Sequence, residues 1–304
     1  MKSDQLVILG SSGFIGSEIV RSFRNEIEVI GIDQQPKETT RILSSVENLS
    51  LSEWQGKTSP QAAIVFAVGK ADVQGSLYLP NDDYQAYVAP LAHLLDLVMP
   101  HQRIILISSA AVYSGLNCPH DGFREDQVLK SASVYGWHRI LAEFILQERF
   151  RQAALKPLPS RKSFLGFDII RPFSVFGADL RRQVIYDTIQ RLKQLTAPYL
   201  KMRGTGKEIR DFVHVSAIPS LIRSLLRQEP SLTPWNLGSG ISTTIEQLTQ
   251  LICDQIKIHP VLEFNQEVLQ PTSLFGNLGK SNALFESTHY SLQRFLPEMF
   301  DGTA

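Results

Sequence analysis

The sequence predicts an α/β protein, a doubly wound parallel sheet followed by a smaller C-terminal lobe. Three observations carry that expectation. Short runs of Val, Ile and Leu alternate with longer amphipathic stretches through roughly the first 170 residues, as parallel strands and crossover helices do. The runs are apolar throughout rather than at every second position, which suits strands covered on both faces by helices. The first run leads straight into a glycine-rich turn, Gly10-Ser11-Ser12-Gly13-Phe14-Ile15-Gly16.

In chain order, strands are expected over 6–9, 28–32, 63–68, 103–107 and 168–171. Helices are expected to begin near Gly13, Tyr84, Tyr135, Arg182 and Thr243. The last has a start signal in Ser242-Thr243-Thr244, ahead of Ile245, Leu248, Leu251 and Ile252 at helical spacing. Residues 117–130, with Pro119 and Gly122, and 156–166, with Pro157 and Pro159, read as surface loops. Past Arg171 the alternation weakens and Pro and Gly become more frequent.

Composition narrows the function. Thirty Lys plus Arg balance thirty Asp plus Glu, with 43% hydrophobic and 20% charged residues in 304, the composition of a globular chain. Zero net charge provides no overall field for nucleic acid or an anionic membrane, so an anionic ligand must be held by a local site. Cys118 and Cys253 lie in unrelated segments and make neither a disulfide framework nor a zinc site. The first residues are too few and too acidic for a secretory signal, and no apolar run approaches the roughly 18 residues of a membrane span. The expectation is a cytoplasmic protein with a small-molecule substrate, without nucleic acid or membrane partners.

The glycine turn explains how an anion is held. Gly10 allows the tight turn, Gly13 lets backbone approach a pyrophosphate, and Gly16 permits close helix packing, while the helix N-terminus at Phe14 and Ile15 supplies N–H groups and positive dipole. Asp33, 17 residues after Gly16 and followed by Gln34, is placed to accept hydrogen bonds from ribose hydroxyls and to repel a 2′-phosphate. This favours NAD over NADP. Residues 1–171 are therefore expected to form an NAD-binding Rossmann domain, and 172–304 a substrate-binding lobe with some segments returning to the first domain.

Further motifs follow in order: Ile107-Ser108-Ser109-Ala110-Ala111-Val112-Tyr113-Ser114, Ser133-Val134-Tyr135-Gly136-Trp137-His138-Arg139, Arg171-Pro172-Phe173-Ser174-Val175-Phe176-Gly177, 204–215 with Arg210-Asp211, and Trp235-Asn236-Leu237-Gly238-Ser239-Gly240. Together with the glycine turn this series resembles the extended short-chain dehydrogenase/reductase family, the NAD-dependent nucleotide-sugar epimerases and dehydratases such as UDP-glucose 4-epimerase. The resemblance spans roughly residues 5 to 255. It implies that Ser109, Tyr135 and Arg139 are catalytic. It also implies that NAD is lined by Phe66, Ala67, Val68, Lys70 and Phe173 as well as by the residues named above, and that Ser174 and Arg210 bind substrate. Hydride transfer at a sugar carbon needs a base for the hydroxyl proton, and tyrosine serves near neutral pH only beside a cation that lowers its pKa from about 10. Tyr135 is that base, Arg139 one helical turn on supplies the charge, and Ser109 hydrogen-bonds the same reacting oxygen.

The chain departs from the family's pattern in several places. Arg139 replaces the motif lysine, and the asparagine that helps organise the family's site falls on Tyr87 or Ala86. The acidic residue that contacts adenine falls near Ser50 or Ser52, and the asparagine of the Arg-Pro segment is Ser174. Arg210, with Arg203 and Lys207 nearby, suits a diphosphate. Ala110 and Ala111 stand where a 4,6-dehydratase would carry Asp and Glu, which points to an epimerase or 4-ketoreductase instead. Two alternatives stay open: a non-catalytic NAD-binding sensor or scaffold, and a reductase of a non-nucleotide small molecule. His93, His101, His138, His214 and His289 lack metal-ligand spacing, and no metal is expected. The family's pairing through the helices near Tyr84 and Tyr135 implies a homodimer, with Leu91, Leu94, Leu95, Ile140, Phe144 and Ile145 as candidate contacts.

Overall fold

The computed structural model describes residues 3–35, 37–38, 40–155, 165–266 and 273–301. Seven strands form one sheet, all pairs parallel: β1 (Gln5–Leu9), β2 (Glu28–Asp33), β3 (Ile42–Leu43), β4 (Ala63–Phe66), β5 (Arg103–Ile107), β6 (Gly166–Pro172) and, much later in the chain, β10 (Pro234–Leu237). Their order is β10-β6-β5-β4-β1-β2-β3. The chain reverses its direction of winding between β1 and β4, so a crevice opens at the carboxyl ends of those two strands, where this fold class binds ligands.

Helices cover both faces. On one side, α4 (Pro80–Leu97) and α5 (Val134–Leu155) press Tyr87, Val88, Leu91, Leu94, Ala142 and Leu146 onto Val7, Ile64 and Leu106. On the other, α1 (Phe14–Phe23) and α7 (Ala217–Leu225) press Ile19, Phe23, Ile218 and Leu221 onto Leu6, Ile8 and Val65. At the opposite end from the crevice, Arg103 Nε donates to Asp168 Oδ2 at 2.8 Å while its Nη1 caps the carbonyls of Leu225 and Gln228. This buried pair ties β5 and β6 to the end of α7.

The remaining elements build the lobe above the crevice: β7 (Ser174–Phe176), α6 (Gln183–Lys193), β8 (Tyr199–Met202), β9 (Ile209–His214), β11 (Ser242–Thr244), α8 (Ile245–Ile256) and β12 (Val261–Phe264). β9 pairs with β11 and β7, and β8 with β12. A separate core of Phe176, Ile189, Leu192, Phe212, Leu248 and Ile252 holds them.

The expected elements are found with shifted ends. β4 stops at Phe66, so Ala67 and Val68 belong to the crevice loop. α4 starts at Pro80, not near Tyr84, because Pro80 at its first position and Asp82 and Asp83 in its first turn favour a helix N-terminus. Helices α2 (Leu51–Lys57), α3 (Val73–Tyr78) and α7 were not expected, nor were the short α9 (Gly279–Asn282), α10 (Leu292–Phe295) and α11 (Glu298–Asp301). α2 carries a complete capping box, with Ser50 Oγ accepting from Glu53 N–H and the Glu53 carboxylate accepting from Ser50 N–H. Of the loop expected over 156–166, residues 156–164 lie outside the described residues. Among the described residues no helix is long and apolar enough to cross a membrane.

Candidate active site

The crevice has two adjoining halves that share Gly13, Ala67 and Gly69. The narrower half, about 300 Å³, is lined by the glycine turn, Asp33 and Gln34, and by Val68, Lys70 and Ala86. The wider half, about 630 Å³, is lined by Phe14, Ile15, Ser109, Tyr135, Phe173 and Ser174.

The glycine turn is shaped for a dinucleotide. Gly10 has φ +83°, and a Cβ there would lie 2.6 Å from the Ala67 carbonyl oxygen; one on Gly16 would lie 2.0 Å from the Gly10 oxygen. Neither contact can relax cheaply, because both partners are backbone. Gly13 caps α1 without a side chain, which leaves the first N–H groups of the helix directed at a ligand. Asp33 is fixed from behind: Ser12 N–H donates to Oδ2 at 2.9 Å and Gln35 N–H to Oδ1 at 3.0 Å. A carboxylate has about four acceptor positions, so two bonds leave capacity for ribose hydroxyls. This cradle, its dipole and its acid fit NAD.

The reactive side chains meet at the mouth of β5. Ser109 lies just past the strand in extended conformation, and its Oγ accepts from Ala111 N–H at 3.1 Å. Tyr135 opens α5, where its N–H donates to Ser76 Oγ at 3.1 Å. One turn on, Arg139 is 3% exposed, with its guanidinium carbon 4.3 Å from the Tyr135 ring centre and Nη2 donating to the Lys70 carbonyl at 3.2 Å. Burial weighs against the guanidinium charge, but the Tyr135, Tyr87 and Asp83 oxygens outweigh it and hold Arg139 above its ordinary value. The cation expected beside Tyr135 is therefore there.

A buried network lies under Ser109. Ser108 Oγ donates to Glu143 Oε1 at 2.5 Å, Arg171 Nη2 donates to Glu143 Oε2 at 2.6 Å, and Arg171 Nη1 donates to the Tyr113 hydroxyl at 2.6 Å. Tyr113 in turn donates to Asn236 Oδ1 at 2.9 Å, and Asn236 Nδ2 donates to the Phe123 carbonyl at 2.7 Å. Burial pushes the Tyr113 hydroxyl up to about 12. The arginine of the 171–177 motif and the asparagine of the 235–240 motif are thus joined in the protein interior.

Several expected site residues are placed elsewhere. Phe66 is fully buried in the core, edge-on to Tyr87 at 5.6 Å, because β4 ends on it and its side chain faces α4. Arg210 does not line the crevice; it sits on β9 opposite Thr243, with Nη1 donating to the Ile209 carbonyl at 2.9 Å, and burial lowers its pKa. Its bridge partner Leu274 reaches the crevice instead. Ser50 caps α2, and Ser44, Ser45, Val46 and Glu47 form the rim of the narrower half in place of Ser50 or Ser52. Leu91, Leu94 and Leu95 are core residues, so of the six candidate contact residues only Phe144 is exposed, at 62%.

The crevice also holds residues the sequence did not single out. Asp72, Gln74, Arg182, Gln183 and Asp187 line the wider half. Arg182 stands at the N-terminus of α6, where the sequence marks only the start of a helix. Ser12 and Lys37 add a clasp on the glycine turn, Lys37 Nζ donating to the Ser12 carbonyl at 2.6 Å. Among the described residues no three His, Cys, Asp or Glu side chains cluster as metal ligands.

Comparison with known proteins gives the same reading. A GDP-6-deoxy-D-talose 4-dehydrogenase from Aggregatibacter actinomycetemcomitans is 23% identical over 283 residues, covering 87% of this chain and 84% of that protein. An N-acetyl-alpha-D-glucosaminyl-diphospho-ditrans,octacis-undecaprenol 4-epimerase from Escherichia coli O157:H7 is 26% identical over 240 residues, 74% of this chain, which spans 64% of that relative. The fold matches a Bacillus cereus UDP-glucuronic acid 4-epimerase, solved with UDP-glucuronic acid and NAD, with a TM-score of 0.78 at 18% identity, covering 98% of each chain. With the glycine cradle, Asp33, Ser109 and Tyr135 lining one crevice and Arg139 buried against Tyr135 behind it, and with the family's pattern matching residues 6–238, the chain belongs to the NAD dependent epimerase/dehydratase family.

Proposed function

We propose that the protein carries out NAD-dependent oxidation and reduction at a carbinol of a nucleotide sugar, as an epimerase or a 4-ketoreductase. The observation that carries this reading is that Ser109 and Tyr135 line the same crevice as the glycine cradle, with Arg139 buried behind Gly69 against the Tyr135 ring. NAD supplies the hydride acceptor and donor when bound. Tyr135 takes the proton of the sugar hydroxyl, with Arg139 placing positive charge beside the ring as negative charge develops on its oxygen. Ser109 donates to the same oxygen and fixes its direction. Phe14, Phe173 and Ser174 border the space between them, and apolar walls there exclude water from the reacting carbon.

Ala110 and Ala111 follow Ser109 and are both buried, so no carboxyl group stands there to protonate and remove a sugar hydroxyl. This supports epimerisation or reduction over loss of water. Arg182, on the open side of the wider half, takes the place expected of Arg210 as the cation available to a substrate diphosphate. The free thiols of Cys118 and Cys253 support a cytoplasmic setting. A homodimer through α4 and α5 is supported by Trp137, Leu141 and Phe144, an exposed stripe at helical spacing beside exposed Tyr84.

The test is Tyr135→Phe assayed on a panel of nucleotide sugars and their 4-keto forms. Turnover should fall by about 10²- to 10⁴-fold, with NADH affinity retained. Unchanged turnover would remove Tyr135 from the chemistry.

A further inference from the structure

Arg139, which replaces the motif lysine, is in contact with Tyr87, one of the two positions on which the family's asparagine falls. Ala86 lines the narrower half of the crevice, whereas Tyr87 turns inward. Its ring centre lies 3.2 Å from the Arg139 guanidinium carbon, with Tyr135 at 4.3 Å. The ring is itself held. Its hydroxyl donates to the Ile107 carbonyl at 2.8 Å, and Phe66 packs against it at 64°.

A lysine ammonium is a strongly hydrated point charge that seeks oxygen acceptors, such as an asparagine carbonyl. A guanidinium is flat, more weakly hydrated and stacks on aromatic faces. An arginine beside Tyr87 therefore keeps a cation in place by another kind of contact. The guanidinium lies directly behind Gly69, where a Cβ would come within 3.4 Å of both Nη atoms. Gly69 borders both halves of the crevice. Arg139 Nε and Nη1 are buried without a hydrogen-bond partner, so the face turned from the Lys70 carbonyl keeps donors to spare.

We propose that Tyr87 is a positioning residue, a fixed aromatic shelf that holds the Arg139 guanidinium beneath Gly69 and against Tyr135, with Nε and Nη1 reserved for the bound cofactor. The proposal rests on the NAD reading given above. Tyr87 touches neither substrate nor cofactor on this view. It acts only through Arg139.

The experiment replaces Tyr87 with phenylalanine and then with mono-, di-, tri- and pentafluorophenylalanine, which weaken the ring's attraction for a cation while nearly keeping its shape. NADH affinity is read by fluorescence titration in the Arg139 protein and in Arg139→Met, with melting curves to establish folding. The dissociation constant should rise stepwise, by about tenfold at full fluorination, and should stay within about twofold along the Arg139→Met series. An equal slope in both backgrounds, or none in the first, overturns the proposal while leaving the NAD reading intact. Failure of the unaltered protein to bind NADH overturns both. Should the fluorinated chains not fold, Arg139→Lys is compared with and without Tyr87→Asn. The lysine should weaken NADH binding more beside the native tyrosine, and the reverse order overturns the proposal.

Discussion

Replacing Glu143 with alanine removes the carboxylate beneath Ser109 and gives the strongest single test of how the site is supported. Glu143 is 1% exposed and Arg171 2%. The carboxylate accepts from Ser108 Oγ and from Arg171 Nε and Nη2. Removing one member of such a pair leaves a buried charge uncompensated, at a cost of about 3–5 kcal/mol, and orphans the Ser108 hydroxyl for about 1 kcal/mol more. Arg171 keeps the Tyr113 hydroxyl and the Glu125 carbonyl at 2.6 and 3.1 Å, which places the total near the lower end, about 4 kcal/mol. In a chain of this size that is a fall of about 6 °C in Tm. Urea unfolding and calorimetry measure it. The double variant Glu143→Leu with Arg171→Met removes both charges and should recover to within about 1 kcal/mol of the parent. A single variant costing less than about 1 kcal/mol, or a double variant as unstable as the single, would refute the account of this network.

Three further outcomes are expected. Gly16→Ala sets a Cβ 2.0 Å from the Gly10 oxygen, so NADH affinity should drop at least about tenfold, whereas Gly56→Ala in α2, with nothing within 4 Å of its Cβ, should stabilise by up to about 1 kcal/mol; equal effects would break the argument from close approach. Phe144→Glu places a charge in the exposed apolar stripe of α5 and should yield a monomer in light scattering with unchanged NADH affinity, while a persistent dimer rejects that face as the interface. On β9, burial pushes Asp211 up from 3.8 to about 6, against hydrogen bonds from Ser239 and Gly240, and pushes His214 down from 6.5 to about 4. Asp211 therefore adds stability at low pH that is lost as pH rises through 6, whereas His214 adds stability above 6.5 that is lost as pH falls through 4, each worth about 3 kcal/mol. The opposed slopes should leave the parent nearly level from pH 4 to 6.5, with stability rising with pH in Asp211→Asn and falling in His214→Gln; a slope of the opposite sign in either denaturation series contradicts the assignment.

The strands of the main sheet and the cradle were legible because their signals are local. A buried parallel strand is a continuous apolar run, and the glycine turn is fixed by close backbone contacts within a few residues. Ser109, Tyr135 and Arg139 were legible as residue types at motif spacing, and the structure brings them together. What stayed hidden depends on contacts distant in sequence. The side chain of Arg210 is directed by the pairing of β9 with β11 and by the bridge to Leu274, which spacing along one segment does not encode. The sequence marks Arg182 only as a helix start, and its place at the crevice follows once α6 is set over it. Phe66 was misassigned by a strand end, since β4 stops two residues earlier than its apolar run. By contrast, α2 had a readable capping box in Ser50 and Glu53.

The energetics of Arg139 bear on whether the site is in use. A guanidinium that is 3% exposed has lost most of its hydration. The stacks on Tyr87 and Tyr135, the bond to the Lys70 carbonyl and the Tyr135, Tyr87 and Asp83 oxygens keep the charged form favoured. Nε and Nη1 have no hydrogen-bond partner in the protein, and each unmet donor costs about 1–3 kcal/mol. A methionine or leucine at this position would fill the space without that cost. The arginine therefore leaves two donors for another group to meet, and the adjoining crevice, whose cradle fits a dinucleotide rich in hydroxyl and phosphate oxygens, is where such a group would bind. Cofactor binding should accordingly raise Tm in the parent by more than in Arg139→Met at equal free cofactor concentration. The same rise in both would mean that the two donors are not satisfied from the crevice.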